Sequence, residues 1–330
     1  MSAPLQIALT YRPLPNGEYT HPEVADVLTQ MGHRVSLIRD DFPDPKSFDL
    51  LWIAGNANWH PRILRQLALH RQAGGRRPLV LIRHTEPLPM PKDAPFPRPR
   101  LHLREIAKIL LRDARATDPF TNARRLGQLA RARLYDVLVV STPSRQAYLA
   151  ECGITSSMVP MGYHPSYGRD LGLERDIDVL FLGALDVPRR RTLIARLREA
   201  KVPVQAMGSW YTTGTWGESR TRLLNRTRIL LNIQRFPGEL SGQRMLLGMA
   251  NKALVISEPV YMPGPYVPGQ HWVQATIDEM PATVAHYLAH EDQRREIAEA
   301  GHDLAVNHLR LEQSVAEILA LVAQVRNPAV

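Results

Sequence analysis

An alternation that runs through most of the chain narrows the fold more than any other feature. Short, nearly all-apolar runs are each followed by a helical pattern and then by another apolar run. QIALT (Gln6–Thr10), RVSLIR (Arg34–Arg39), DLLWIA (Asp49–Ala54) and PLVLIR (Pro78–Arg83) open the series, and DVLVV (Asp136–Val140) and Ser157–Met161 extend it. Helical spacing predicts helices over Pro22–Met31, Pro61–His70 and Pro143–Glu151 between them. Strands apolar on both faces and joined by helical crossovers form parallel sheets with helices on each side. The pattern therefore predicts an α/β fold of doubly wound type. Its strand-end loops, including Tyr11–His21, Gly55–Trp59 and His84–Pro89, are expected at one crevice.

A second series follows: DVLFLG (Asp178–Gly183), Pro203–Met207, Leu230–Ile233, Ala253–Ile256 and HWVQA (His271–Ala275). Helices are predicted over Arg191–Ala200, Ser219–Asn225, from Ser241, over Glu279–His290, and over Gln293–Val325 with a break near Gly301. A length of 330 residues with 44% hydrophobic content supports two cores. The predicted division is a first domain over 1–168, a second over 169–307, and a last helix over 308–330 that packs back on the first.

A formal charge of +9 and a pI near 9.9 call for an anionic partner, and charge alone does not choose among nucleic acid, acidic membrane and phosphorylated substrate. Part of that charge forms a stripe, Arg104, Lys108, Arg112 and Arg115, beside an apolar face; Arg124, Arg125, Arg131 and Arg133 follow on a second helix over 121–134. Such helices bind anionic lipid, bind phosphates of nucleic acid, or simply present a solvated outer face. The lone Cys152 excludes a disulfide framework and a cysteine-rich metal site. The start MSAPLQIALTYRP does not read as a signal peptide, and no apolar run approaches the roughly 20 residues that span a bilayer. A cytoplasmic protein is expected, with the inner face of the plasma membrane as a place it can touch. Nothing in the sequence speaks to oligomeric state.

The most chemically informative stretch is LLNIQRFPGELSGQRMLLGMANKALVISE, Leu230–Glu258, which reads strand, loop, helix, strand. Ser241 is placed as N-cap, with Gly242, Gln243 and Arg244 in the first turn. Free N–H groups and the helix dipole attract an anion there, Gly242 permits close approach, and Arg244 offers a bidentate fork. An ordinary buried strand–helix–strand unit with one exposed arginine fits the same residues. Gly183, at a strand end before Arg189, Arg190 and Arg191, is a second candidate phosphate turn. Neither a GxGxxG nor a Walker pattern occurs. In the first half, His84 and Glu86 of HTEPLP sit at a strand's carboxyl end, where they can serve as a base or bind hydroxyls, or be plain loop residues. Trp210, Tyr211 and Trp216 of SWYTTGTWGE either stack on a ligand or pack between loops.

Over about Asp176–Asn307 the chain resembles GT-B glycosyltransferases. The resemblance rests most on WGESRTRLLNRTRILLNI, GQRMLLGMANKALVISE and DQRREIAEAGHDLAVNH, which are similar to group-one glycosyltransferases of the CgeB-like branch. Gln234 stands at that pattern's histidine position, Gly242-Gln243-Arg244 replaces a glutamate-bearing helix start, and Leu247 occupies the second place of an E-x7-E pair counted from Glu239. The resemblance implies a GT-B fold, with two Rossmann-like domains facing an interdomain cleft. It also implies a nucleotide-diphosphate sugar donor held by the second domain and transfer without a metal or other cofactor. By this resemblance the donor residues are Gly183, Arg189, Asn232, Ser241, Gly242, Gln243, Arg244 and Glu258, the last on the ribose; His84, Glu86 and Arg244 carry the catalytic expectation. The expected acceptor is an envelope glycan or a lipid-linked, membrane-proximal molecule. The alternatives are transfer to nucleic acid, and a non-catalytic binder of sugar nucleotides or nucleic acid.

Overall fold

Valine, isoleucine and leucine predominate in the strands, and every residue of Leu50–Ala54, Val137–Val140 and Leu254–Ser257 is buried. The computed structural model describes residues 4–13, 20–42, 44–72, 74, 77–97, 106–107, 110–111, 118–185, 187–208 and 215–326. By internal contacts the chain divides into two units. The first is Met1–Ala94, Arg98–Val159 and Glu312–Val330, and the second is Pro160–Leu311 with Pro95–Pro97.

In the first unit the elements are β1 (Gln6–Thr10), α1 (Pro22–Gln30), β2 (Arg34–Ile38), β3 (Leu50–Ala54), α2 (Pro61–Gln72), β4 (Leu79–His84), α3 (Pro119–Arg131), β5 (Val137–Val140), α4 (Pro143–Glu151) and β6 (Ser157–Met158). They form a parallel sheet in the order β2-β1-β3-β4-β5-β6. Helix starts follow local chemistry: Asp118 accepts from the amides of Phe120 and Thr121 ahead of α3, and Thr142 accepts from the Arg145 amide ahead of α4. Each of these helices also has proline in its first turn, where the missing N–H costs nothing. The core packs Leu51, Ile53, Val80, Ile82, Leu138 and Val140 against Ile63, Leu67, Leu126 and Leu149 of the covering helices.

The second unit contains β7 (Ile177–Leu182), α5 (Pro188–Glu199), β8 (Val204–Met207), α6 (Gly217–Asn225), β9 (Thr227–Asn232), α7 (Gly242–Ala250), β10 (Leu254–Ser257), β11 (Val273–Gln274), α8 (Met280–Ala289) and α9 (Glu291–Asp303). A π-helical turn, Leu304–His308, leads out of this unit to α10 (Leu311–Arg326), which from Glu312 on belongs to the first. The parallel sheet has the order β11-β10-β9-β7-β8. One face is covered through Val179, Phe181, Ile229 and Ile256 by Ile194, Leu197 and Val284; the other uses Leu180 and Leu230 against Leu224.

Several local expectations change. The second unit begins at Pro160, ahead of residue 169, because Tyr163 exchanges backbone hydrogen bonds with Leu309 and Leu311. Gly162 also packs so tightly that a Cβ there would lie 2.4 Å from Leu311 Cα. The break expected near Gly301 falls at 304–310; Gly301 stays helical, and its bare Cα admits the His271 carbonyl, 2.6 Å from where a Cβ would sit. Helix α5 starts at Pro188, which places Arg189 and Arg190 inside its first turn. Arg104, Lys108, Arg112, Arg115, Trp210 and Tyr211 lie outside the described residues. Of the basic segment, Leu110 and Leu111 are described, and they are 77% and 80% exposed. Helix α3 buries Leu126 and Leu129 and exposes Arg124 and Arg131, while Arg125 donates to Asn58. Trp216 lies beneath the Arg220 guanidinium. Among the described residues no helix is long and apolar enough to cross a membrane.

Candidate functional site

In the second sheet β7 pairs with β8 on one side and with β9 on the other, so the chain's winding reverses between β7 and β9. Loops leaving the carboxyl ends of two such strands diverge, and ligands of doubly wound sheets bind in the opening. The expected donor residues of this unit gather around that point. Gly183 follows β7, Arg189 is in the first turn of α5, Asn232 ends β9, Ser241–Arg244 begin α7 and Glu258 follows β10.

Arg244 is the centre of this cluster. Its Nη1 donates to Asn232 Oδ1 at 2.6 Å and, at 3.5 Å, to the Ile233 carbonyl. Asn232 is held for this by its own donation to Ser257 Oγ at 2.9 Å. The guanidinium sits 5.7 Å from the centroid of the Phe181 ring, and that of Arg190 sits 5.7 Å from the same centroid. Arg190 is buried, with Nε donating to the Ile233 carbonyl at 3.0 Å. Gly183 makes the arrangement possible: a Cβ there would lie 3.0 Å from Arg244 Nη2 and 3.2 Å from Phe181 Cζ. Loss of water and, after it, the Arg190 charge push the Arg244 pKa down to about 9, with Glu239 opposing at longer range. Arg244 forms no ion pair among the described residues. Two confined cations around one ring favour an anion, which would relieve both desolvation and repulsion.

Helix α7 adds to the same field. The Ser241 carbonyl accepts from the amides of Arg244 and Met245, but its hydroxyl makes no cap bond, so the expected side-chain cap is not formed. The amides of Gly242 and Gln243 have no acceptor among the described residues, which leaves two donors at the positive end of the helix. The Gln243 side chain is exposed.

Arg189 and Glu258 are bound to each other. Both Nη groups of Arg189 donate to the Glu258 carboxylate, and Nη1 also donates to the Gln234 carbonyl at 2.8 Å. Gln234 is a buried staple: its amide N–H donates to Glu258, its Nε2 donates to the Glu258 and Pro259 carbonyls, and its Oε1 accepts from the Gly238 amide at 2.7 Å.

His84 and Glu86 belong to the first unit. His84 ends β4 and shares its face with Val80 and Ile82, so its ring points into the apolar layer beneath α3 and α4. It is 1% exposed, and neither ring nitrogen meets hydrogen-bond geometry with a neighbour. Burial and then the nearby Arg145 charge push its pKa down to about 3, with the Glu86 backbone offsetting a little. His84 is thus neutral at physiological pH. Glu86 is half-buried in the following loop. Sequence reasoning did not single out Phe181, the ring between two arginines, or Arg145, which donates to Ser141 Oγ at 2.7 Å beside His84. The proline at 188 was a signal for the earlier start of α5, and so for Arg190 reaching the site.

Residues 189–320 match the family model described as glycosyl transferase-like. Among solved structures, sucrose-phosphate synthase of Thermosynechococcus elongatus aligns with a TM-score of 0.66 at 13% identity, over 97% of this chain and 99% of that one. HepE of Anabaena, solved with UDP and glucose, aligns with a TM-score of 0.63 at 11% identity over 97% and 100% of the two chains. AviGT4, a glycosyltransferase of avilamycin A biosynthesis, aligns at 0.54 with 15% identity over 98% of each. The chain has the fold of the GT-B glycosyltransferases. No curated protein matches its sequence. The family match includes β9, α7 and β10 but not β7 or Gly183, and it does not single out the CgeB-like branch. The described residues include no cluster of three or more His, Cys, Asp or Glu suited to a metal ion.

Proposed function

We propose that this chain is a glycosyltransferase that takes its sugar from a nucleoside-diphosphate donor held at the carboxyl edge of the second sheet, and passes it to an envelope-glycan or lipid-linked acceptor. The observation that carries the donor reading is the Arg244 cluster: a desolvated guanidinium beside Gly183, a second cation on the same ring, and two unengaged amides at the start of α7. As the glycosidic bond breaks, negative charge grows on the departing diphosphate. Cations and amides already aimed at it stabilise the transition state more than the ground state. In this reading Arg244 and the α7 amides take the leaving-group charge, and the reaction needs no resident metal. HepE, whose solved structures hold UDP or UDP-glucose, supports a nucleotide-sugar donor.

His84, 1% exposed and turned into the apolar layer of the first unit, is left out of this chemistry. The membrane-proximal acceptor is supported by Leu110 and Leu111, exposed apolar residues within a segment whose sequence also holds Arg104, Lys108, Arg112 and Arg115. Such a composition suits the inner face of an anionic membrane.

Incubation with a panel of nucleotide sugars, read as released nucleoside diphosphate, tests the reading. Release from one donor at a rate at least tenfold above the Arg244→Ala variant is expected. Binding of a donor without any release would favour a non-catalytic binder.

A further inference from the structure

Both oxygens of the Glu258 carboxylate are engaged. Oε1 accepts from Arg189 Nη2, while Oε2 accepts from Arg189 Nη1 and from the Gln234 amide, each at 2.9 Å. Its backbone carbonyl is held as well, by Gln234 Nε2 at 3.1 Å and Ser257 Oγ at 2.8 Å. A guanidinium has five N–H donors. Arg189 uses three of them, one on the Gln234 carbonyl and two on Glu258; Nε–H and the second Nη2–H have no acceptor among the described residues. Of the pair, the Glu258 side chain is 7% exposed and that of Arg189 29%. The acid is the buried anchor, and the cation is the more accessible partner with donors to spare. Charge-assisted, bidentate bonds are roughly twice as strong as neutral ones. A ribose hydroxyl offers this carboxylate a single bond from a neutral donor, against the two that the Arg189 cation already makes.

We propose that Glu258 is a positioning residue that acts on the donor through Arg189, fixing this guanidinium to meet the diphosphate, and does not itself take the ribose hydroxyls. Arg189 and Arg190 lie in the first turn of α5, where the helix dipole disfavours cations. Glu258 and the Gln234 and Ile233 carbonyls hold them there against that field. This inference rests on the donor reading above and assigns the part Glu258 plays within it.

The test is calorimetric titration with UDP, 2′,3′-dideoxy-UDP and inorganic pyrophosphate. Glu258→Gln is expected to weaken all three by one common factor, about tenfold for one lost charge-assisted partner. Arg189→Lys, which leaves Glu258 in place but removes the fork, should do the same even if Glu258→Gln folds poorly. The double variant Arg189→Gln/Glu258→Gln should bind no more weakly than Arg189→Gln alone, since the acid works only through the arginine. Glu258→Gln weakening UDP while leaving dideoxy-UDP and pyrophosphate unchanged would overturn the inference and put the acid on the ribose. Additive losses in the double variant would overturn it too. Wild-type protein binding none of the three, nor any other nucleoside diphosphate of a panel, would instead bring down the donor reading, and this inference with it.

Discussion

Burial moves His84 in a direction that titration can read. Its pKa is about 3 in the folded chain against an ordinary 6.5, chiefly because the charged form loses its water. Between those values the unfolded chain holds a proton that the folded chain does not, so stability rises with pH up to about 6.5 and is level above it. Each such group contributes a slope of about 1.4 kcal/mol per pH unit inside that window. His60, also lowered mainly by burial, adds with the same sign. Urea midpoints measured from pH 5 to 7 should therefore fall toward acid. In His84→Gln the fall should be shallower by about one group's share, and an unchanged slope would mean that the histidine is not neutral in the fold. The residue itself was legible as a polar group at a strand end; that neither ring nitrogen meets hydrogen-bond geometry among the described residues was not. That property comes from α3 and α4 closing over β4, which no local pattern contains. The reverse holds for Glu258, whose place in the motif suggested the ribose while three donors from distant parts of the chain occupy its oxygens.

Helix α7 shows what element-level patterns can and cannot give. Its start was readable from Ser241, and its end is followed by Asn251 at φ −103°, the left-handed residue being Lys252. The strands before and after it were readable as apolar runs. The start of α5 and the break after α9 were misplaced, because Pro188 was passed over and Gly301 was taken as a terminator when its role is close packing. Gly248 is a comparable case inside α7. A Cβ there would lie 2.3 Å from Val255 Cγ2 and 3.1 Å from Leu230 Cδ2, so the helix sits on β9 and β10 at a distance only glycine allows. Gly248→Ala should destabilise the protein by about 1–3 kcal/mol through overpacking, despite alanine's better helix propensity. Chemical denaturation checks this, and a stabilised variant would show that the helix can lift without cost.

For the whole molecule, alternation of apolar runs with helices was enough to give two parallel sheets. The loops that decide chemistry depend on which strands are neighbours, and strand order is set by long-range pairing. The winding reversal between β7 and β9 is what makes Gly183 and Asn232, 49 positions apart in the sequence, parts of one site. The acceptor side was legible only as charge. Each Lys or Arg near an anionic membrane contributes about 1 kcal/mol, so Arg104, Lys108, Arg112 and Arg115 together suffice for reversible attachment. Co-sedimentation should show binding to anionic but not neutral vesicles, weakened by salt and by changing the four residues to glutamine. Equal, negligible binding to both would remove the membrane from the account and leave a soluble or nucleic-acid acceptor.

The central claim is that a nucleoside diphosphate is held by the Arg244 cluster of the second unit, and calorimetry tests it most directly. Titrating wild-type protein and Arg244→Ala with a panel of nucleoside diphosphates should give saturable binding of at least one by the wild type. The variant's dissociation constant for it should be raised by roughly one to two orders of magnitude, the share of one desolvated charge-assisted pair. Equal affinity in the two proteins would contradict the site.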